Sequence, residues 1–157
     1  MSEGCEQSEV VVLGYGRVGH IVSEGLRQRK VPHTVVDYDA VAAHAADQAG
    51  LPVIYGDASS DIVLRRALTP CVSIVIIALP EAPSTEIAVR NIREIREDLF
   101  VVARVHRSED VSRIQAAGAD ATIYPESLAG AVMLQQAVER LGLSPQQPST
   151  ASGAPPA

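Results

Sequence analysis

Short apolar runs alternate with longer stretches in which apolar residues return at helical intervals. The runs are Val10–Leu13, His33–Val36 closing on Asp37, Pro52–Tyr55, Val72–Leu79, Phe100–Val105 and Ala121–Pro125. Each reads as a strand. Val72–Leu79 is apolar nearly throughout, which predicts burial on both faces of a parallel sheet. Between the runs, the pattern predicts helices over 21–30, Ala40–Gln48, 60–68, 84–98, 108–118 and Glu126–Leu141. Val31-Pro32, Gly50, Pro70 and Gly118 stand where these helices should stop. In the fourth, Ile87, Ile92, Ile95 and Leu99 recur at helical spacing.

Six strands alternating with helices, with no hairpin signal between them, predict a three-layer α/β Rossmann fold. Its sheet is a doubly wound, six-stranded parallel one of order 3-2-1-4-5-6. The expected organisation is a loose leader over 1–8, one domain over 9–142 and a disordered Pro/Ser/Ala-rich tail over 143–157. The last helix carries Leu128, Val132, Met133, Leu134, Val138 and Leu141 on more than one face. A helix apolar nearly all round must bury itself on two sides, which predicts a homodimer.

The first run opens into G-x-G-x-x-G, with Gly14, Gly16 and Gly19. Strand, glycine turn and helix in that order turn a weak pattern into a nucleotide-binding expectation. Gly14 permits the tight turn, Gly16 lets the backbone approach a phosphate, and Gly19 lets helix and strand pack closely. Unpaired N–H groups at the helix start favour an anion there. Asp37, ending the second strand, stands where a carboxylate accepts hydrogen bonds from ribose hydroxyls, each worth about 1.5–3 kcal/mol. It would repel a 2′-phosphate, so NAD(H) or a plain adenosine nucleotide is favoured over NADP(H). The crevice of such a sheet lies at the carboxyl ends of the strands. The candidate site is therefore Gly14, Tyr15, Gly16, Arg17, Val18, Gly19, Asp37, Tyr38, Gly56, Asp57, Ala58, Ala78, Leu79, Pro80 and Arg104. Asp39 reads as a helix cap, and His106 as a structural or exposed residue rather than a catalytic one.

The 157 residues suffice for one domain with a core, and a net charge of −6 argues against nucleic acid or an anionic membrane surface as partner. No apolar run approaches the roughly 20 residues of a membrane span. Cys5 and Cys71 form neither a disulfide framework nor a metal motif, and Cys71 reads as a small apolar residue, which fits a reducing cytosol. No nucleophile–base–orienter set and no metal-ligand spacing is legible.

Taken together, VVVLGYGRVG, VVDYD, VIYGDAS, FVVARVH and GADATIYPESLAGAVMLQQ resemble the KTN or RCK nucleotide-binding domain of potassium channels and transporters. They are most similar to the cytosolic C-terminal domain of Kef-type monovalent cation:proton antiporters. The resemblance spans residues 8–142. It implies a cytoplasmic regulatory domain, not an enzyme, that binds NAD(H), AMP, ADP or ATP and gates cation flux through an attached or associated membrane unit. It further implies that Arg17 reaches phosphate, sometimes on a neighbouring subunit, and that Asp57 and Ala58 border adenine. Glu126 matches a glutamate that helps hold a cation in some members, although one carboxylate falls far short of a cation site. The second C-terminal ligand domain of many members has no counterpart in this sequence. A small NAD-dependent oxidoreductase and a stand-alone nucleotide sensor are the competing readings.

Overall fold

The computed structural model describes Cys5 and residues 7–143. The leader over 1–8 lies largely outside the described residues, and the tail expected over 143–157 lies outside them from Ser144 onward. Described residues fall into two compact units, one ending at Tyr124 and one beginning at Pro125.

The first unit runs β1 (Glu9–Leu13), α1 (Arg17–Gln28), β2 (His33–Asp37), α2 (Ala40–Gln48), β3 (Val53–Tyr55), α3 (Asp61–Ala67), β4 (Val72–Ile77), α4 (Ala82–Ile95), β5 (Phe100–Arg104), a 3-10 turn (Ser108–Asp110), α5 (Val111–Ala116) and β6 (Ala121–Ile123). All strand pairs are parallel, in the order β3-β2-β1-β4-β5-β6. This is the Rossmann order expected from the alternation of the two patterns. β1 and β4 lie at the centre, and Val11, Val12, Leu13, Val75 and Ile77 are fully buried. β-branched residues fill these strands because they pack well on a pleat covered from both faces.

Local chemistry sets the element ends. Asp39 accepts hydrogen bonds from the Val41 and Ala42 N–H groups at 2.9 Å each, capping α2 as the sequence predicts. Lys30, with φ of 55°, ends the α1 region in the left-handed conformation just before Val31-Pro32. α4 begins at Ala82, two residues earlier than the sequence predicts. Pro83 sits in its first turn, where a missing N–H costs nothing. The buried face of α4 is Thr85, Ala88, Val89 and Ile92; of the expected apolar positions Ile92 and Leu99 are buried and Ile95 packs against the core, whereas Ile87 is 50% exposed.

The cysteine expectation is overturned. Cys5 and Cys71 form a disulfide, with Cα atoms 5.4 Å apart. The reason is strand register: Glu9 of β1 pairs with Val72 of β4, and the Glu9 N–H donates to the Cys71 carbonyl at 2.9 Å. The chain just before β1 therefore runs beside the start of β4. Such a bond is uncommon in a reducing compartment.

The second unit is α6 (Pro125–Arg140). None of its residues is buried, and Leu128, Val132, Met133 and Leu134 are exposed. Glu126 lies in its first turn.

Candidate functional site

β1, β2, β4 and β5 end along one edge of the sheet, and the turns leaving them enclose a cleft of about 320 Å³. It is lined by Gly14, Gly16, Arg17, Val18, Asp37, Tyr38, Asp39, Ala42, Ala78, Leu79, Pro80, Arg104 and His106. The chain reverses its winding direction between β1 and β4, which is what opens the crevice there.

The glycine turn is built from three different constraints. Gly14 has φ of +93°, a conformation costly for any side chain, and a Cβ on it would stand 3.1 Å from the Ala78 carbonyl oxygen. At Gly19, a Cβ would stand 1.9 Å from the Gly14 oxygen, so only glycine lets α1 close on β1. Gly16 differs from both. Its φ of −71° suits any residue, and a Cβ there would meet no protein atom within 4 Å. Packing does not require glycine at this position, although glycine suits a helix N-cap. The space beside the start of α1 is open. No side chain caps α1 there, so its first N–H groups face the cleft region without intrahelical partners.

Asp37 is 8% exposed and organises the facing wall. The Tyr15 N–H donates to its Oδ2 at 2.7 Å and the Asp39 N–H to its Oδ1 at 2.8 Å. The carboxylate is thus fixed between the two turns, and each oxygen keeps a second lone pair for a hydroxyl donor. Burial pushes the Tyr15 phenol above its usual pKa, with the charge of Glu24 adding to the effect.

Ten of the fifteen sequence-predicted residues line the cleft: Gly14, Gly16, Arg17, Val18, Asp37, Tyr38, Ala78, Leu79, Pro80 and Arg104. Five do not. Gly19 acts through packing alone. Tyr15 contributes its backbone N–H, while its ring is buried against Val35, Ala46 and Leu51, with its hydroxyl 3.1 Å from His20 Nδ1. Gly56, Asp57 and Ala58, which follow the short β3, are not in the cleft lining: Asp57 Oδ1 accepts from the Ser59 N–H and hydroxyl, and Ala58 is buried in the main core. Three lining residues stood outside the expected set. Asp39 and Ala42 belong to the start of α2, a position that the acid at the end of β2 already pointed toward. His106, set aside as structural, lines the cleft with its Nε2 3.1 Å from the Leu79 carbonyl oxygen.

With that geometry in hand, comparison with known proteins decides the family. Residues 10–125 match the model of the TrkA-N domain. The chain belongs to the TrkA-N domain family. A relative from Alkalimonas amylolytica, named as a K(+) efflux antiporter, KefB, is 29% identical over 128 residues, covering 82% of this chain and 19% of its own length. The crystal structure of the TrkA-N domain of inner membrane protein YbaL from Escherichia coli superposes with a TM-score of 0.78 at 23% identity, covering 83% of this chain and 96% of that one. The GsuK channel is 26% identical and has been solved with NAD (TM-score 0.71, 87% of this chain and 24% of that one) and with ADP (TM-score 0.70, 85% and 34%). This TrkA-N chain thus spans about a fifth of the length of the antiporter relative. Among the described residues, no helix is long and apolar enough to cross a membrane, and no cluster of His, Cys, Asp or Glu could hold a metal ion.

Proposed function

We propose that this TrkA-N domain is a regulatory nucleotide sensor that gates potassium or other monovalent cation movement through a Kef-type antiporter or a related channel unit. An adenine nucleotide, NAD(H), AMP, ADP or ATP, lies in the cleft with its ribose hydroxyls on Asp37 and its phosphate beside Gly16 and the start of α1. Asp37 and the glycine turn open onto one cleft, and Gly16 leaves there a space that no protein atom occupies. That observation carries the reading. Support also comes from the NAD- and ADP-bound forms of GsuK.

The role is binding rather than catalysis. His106 is the cleft residue best suited to proton transfer, and its Nε2 is engaged by the Leu79 carbonyl. The domain works at the cytosolic face of the membrane, attached to or associated with the transporter. It acts as a homodimer in which the apolar residues of α6 are covered by a second copy. Nucleotide binding biases the assembly between two arrangements, which is how a local ligand alters a distant pore.

A thermal-unfolding panel with AMP, ADP, ATP, NADH and NADPH tests the reading. A ligand at a hundredfold its dissociation constant adds about 2.7 kcal/mol to stability. Stabilisation by one or more of the first four, without NADH oxidation, is expected. Stabilisation by NADPH alone would contradict the role given to Asp37. The variant for that residue is Asp37→Asn rather than Asp37→Ala, because asparagine keeps an acceptor for one of the two N–H groups, of Tyr15 and Asp39, and alanine keeps neither.

A further inference from the structure

The Cys5–Cys71 disulfide lies at the edge of the sheet opposite the cleft, where β1 and β4 begin. Its surroundings differ from those of a buried cross-link in two ways. Access comes first. Neither cysteine is buried, and both line a cavity of about 210 Å³ with Ser73, Arg96 and Asp98. Arg96 and Asp98 pair with each other, so among the described residues this lining holds no free carboxylate to repel a thiolate. The bond is within reach of a small thiol while the chain stays folded.

The second difference is what the bond holds. Among the described residues, backbone hydrogen bonding begins at Glu9, whose N–H donates to the Cys71 carbonyl at 2.9 Å, and the β1–β4 ladder follows from there. Ahead of Glu9, neither Cys5, Gln7 nor Ser8 hydrogen-bonds to another described residue. The disulfide ties this segment to the sheet, and opening it breaks no strand pairing. Exposed disulfides are the labile ones, whereas structural ones resist a cellular thiol pool. At the cytosolic face of a membrane, a disulfide is usually transient or redox-sensing. The compartment depends on the function proposed above; the access and the weakly held segment do not.

We propose that Cys5–Cys71 is a thiol–disulfide exchange site, opened by a low-molecular-weight thiol that enters the cavity, and that opening releases the segment ahead of β1 from the start of β4. A thiolate bonds to one cysteine sulfur. The Sγ–Sγ bond breaks, and its electron pair leaves on the other sulfur, which takes a proton from solvent. A second thiol attacks the mixed disulfide in the same way. The second cysteine leaves as a thiol, and the two small thiols, oxidised by two electrons between them, depart as their symmetric disulfide. That disulfide, run through the same steps in reverse, closes the bond again. Cys71 stays fixed beside β4 throughout, and Cys5 moves off with the segment. The domain then takes thiol state at one edge of its sheet and nucleotide at the other.

Opening of the folded, oxidised chain by 2-mercaptoethanol tests this, without nucleotide or denaturant. Thiols are counted by alkylation and mass spectrometry, and circular dichroism follows the fold. The opening rate should rise in proportion to the thiol, about tenfold for a tenfold increase, with the dichroism retained. A rate independent of thiol concentration and equal to that of global unfolding overturns the site and leaves a structural cross-link. In the reduced, folded chain, Cys5 should react with a bulky polyethylene-glycol maleimide several-fold faster than Cys71. Equal rates for the two overturn the release of the segment. Cys5→Ser leaves Cys71 alone in the cavity, and the folded variant should take up one 2-mercaptoethanol adduct at Cys71 from hydroxyethyl disulfide. A folded variant that takes up none overturns access. Because no nucleotide is present, a failed nucleotide titration strikes the function proposed above and leaves the exchange site standing, and a failed exchange does the reverse.

Discussion

The two edges of the sheet use the same residue type in opposite ways. At the edge where β4 and β5 begin, arginines are saturated. Arg93 donates to the carbonyls of Gly118, Glu97 and Leu99 at 2.8, 3.0 and 2.6 Å and to Asp120 at 2.6 Å. Arg96 donates to the carbonyls of Thr69 and Val72 at 2.7 and 3.0 Å and pairs with Asp98. The Cys5–Cys71 disulfide closes the same region. At the edge where the strands end, Arg17 and Arg104 line a cleft, and among the described residues neither has a carboxylate partner. One edge is completed by the chain itself. The other is left with donors and space, as the proposed binding edge requires, because a site that satisfies its own groups has nothing to offer a ligand.

The largest effect belongs to the closed edge. The disulfide joins residues 66 apart in sequence, and removing a cross-link of that span costs up to about 4 kcal/mol. Cys71→Ser should lower the urea midpoint accordingly, with nucleotide affinity unchanged, because the bond lies away from the cleft lining. Next in size is a paired substitution. Arg93→Ala strips partners from three carbonyls and from Asp120, and should cost about 2–3 kcal/mol. Arg104→Gln, at the open edge, should leave stability within about 0.5 kcal/mol. Equal costs for the two would erase the contrast between the edges.

A smaller effect concerns acid. The Val101 N–H bond to Asp120, helped by Arg93, holds that carboxyl below its usual pKa. A group whose folded-state pKa is depressed adds stability above its unfolded value and loses it as pH falls through the folded one. Stability should therefore decline from about pH 4 downward, and less steeply in Asp120→Asn. Urea titrations across that range check the slope.

Much of this contrast could be read from the chain before folding, and the missing parts have identifiable causes. β2 and α2 were legible to the residue, because Asp37 and Asp39 end and cap them by local chemistry. The start of α4 was obscured by Pro83, which signals a stop and a first turn alike. The disulfide was invisible because only the β1–β4 register brings its cysteines together. The engagement of Asp57 Oδ1 by Ser59 was not legible, because a position after a strand says nothing of which neighbour reaches the side chain. The glycine motif was plain, yet the difference between Gly19, forced by packing, and Gly16, where a Cβ would meet no protein atom, exists only in three dimensions.

Gly16→Ala therefore addresses the central claim most directly, since its methyl group touches no protein atom and enters only the space assigned to phosphate. Measured side by side, stability should fall by less than about 1 kcal/mol, the cost of alanine at a helix N-cap, while ADP affinity falls by about tenfold or more. An unchanged ADP affinity in a folded Gly16→Ala protein would contradict a phosphate seated at that turn.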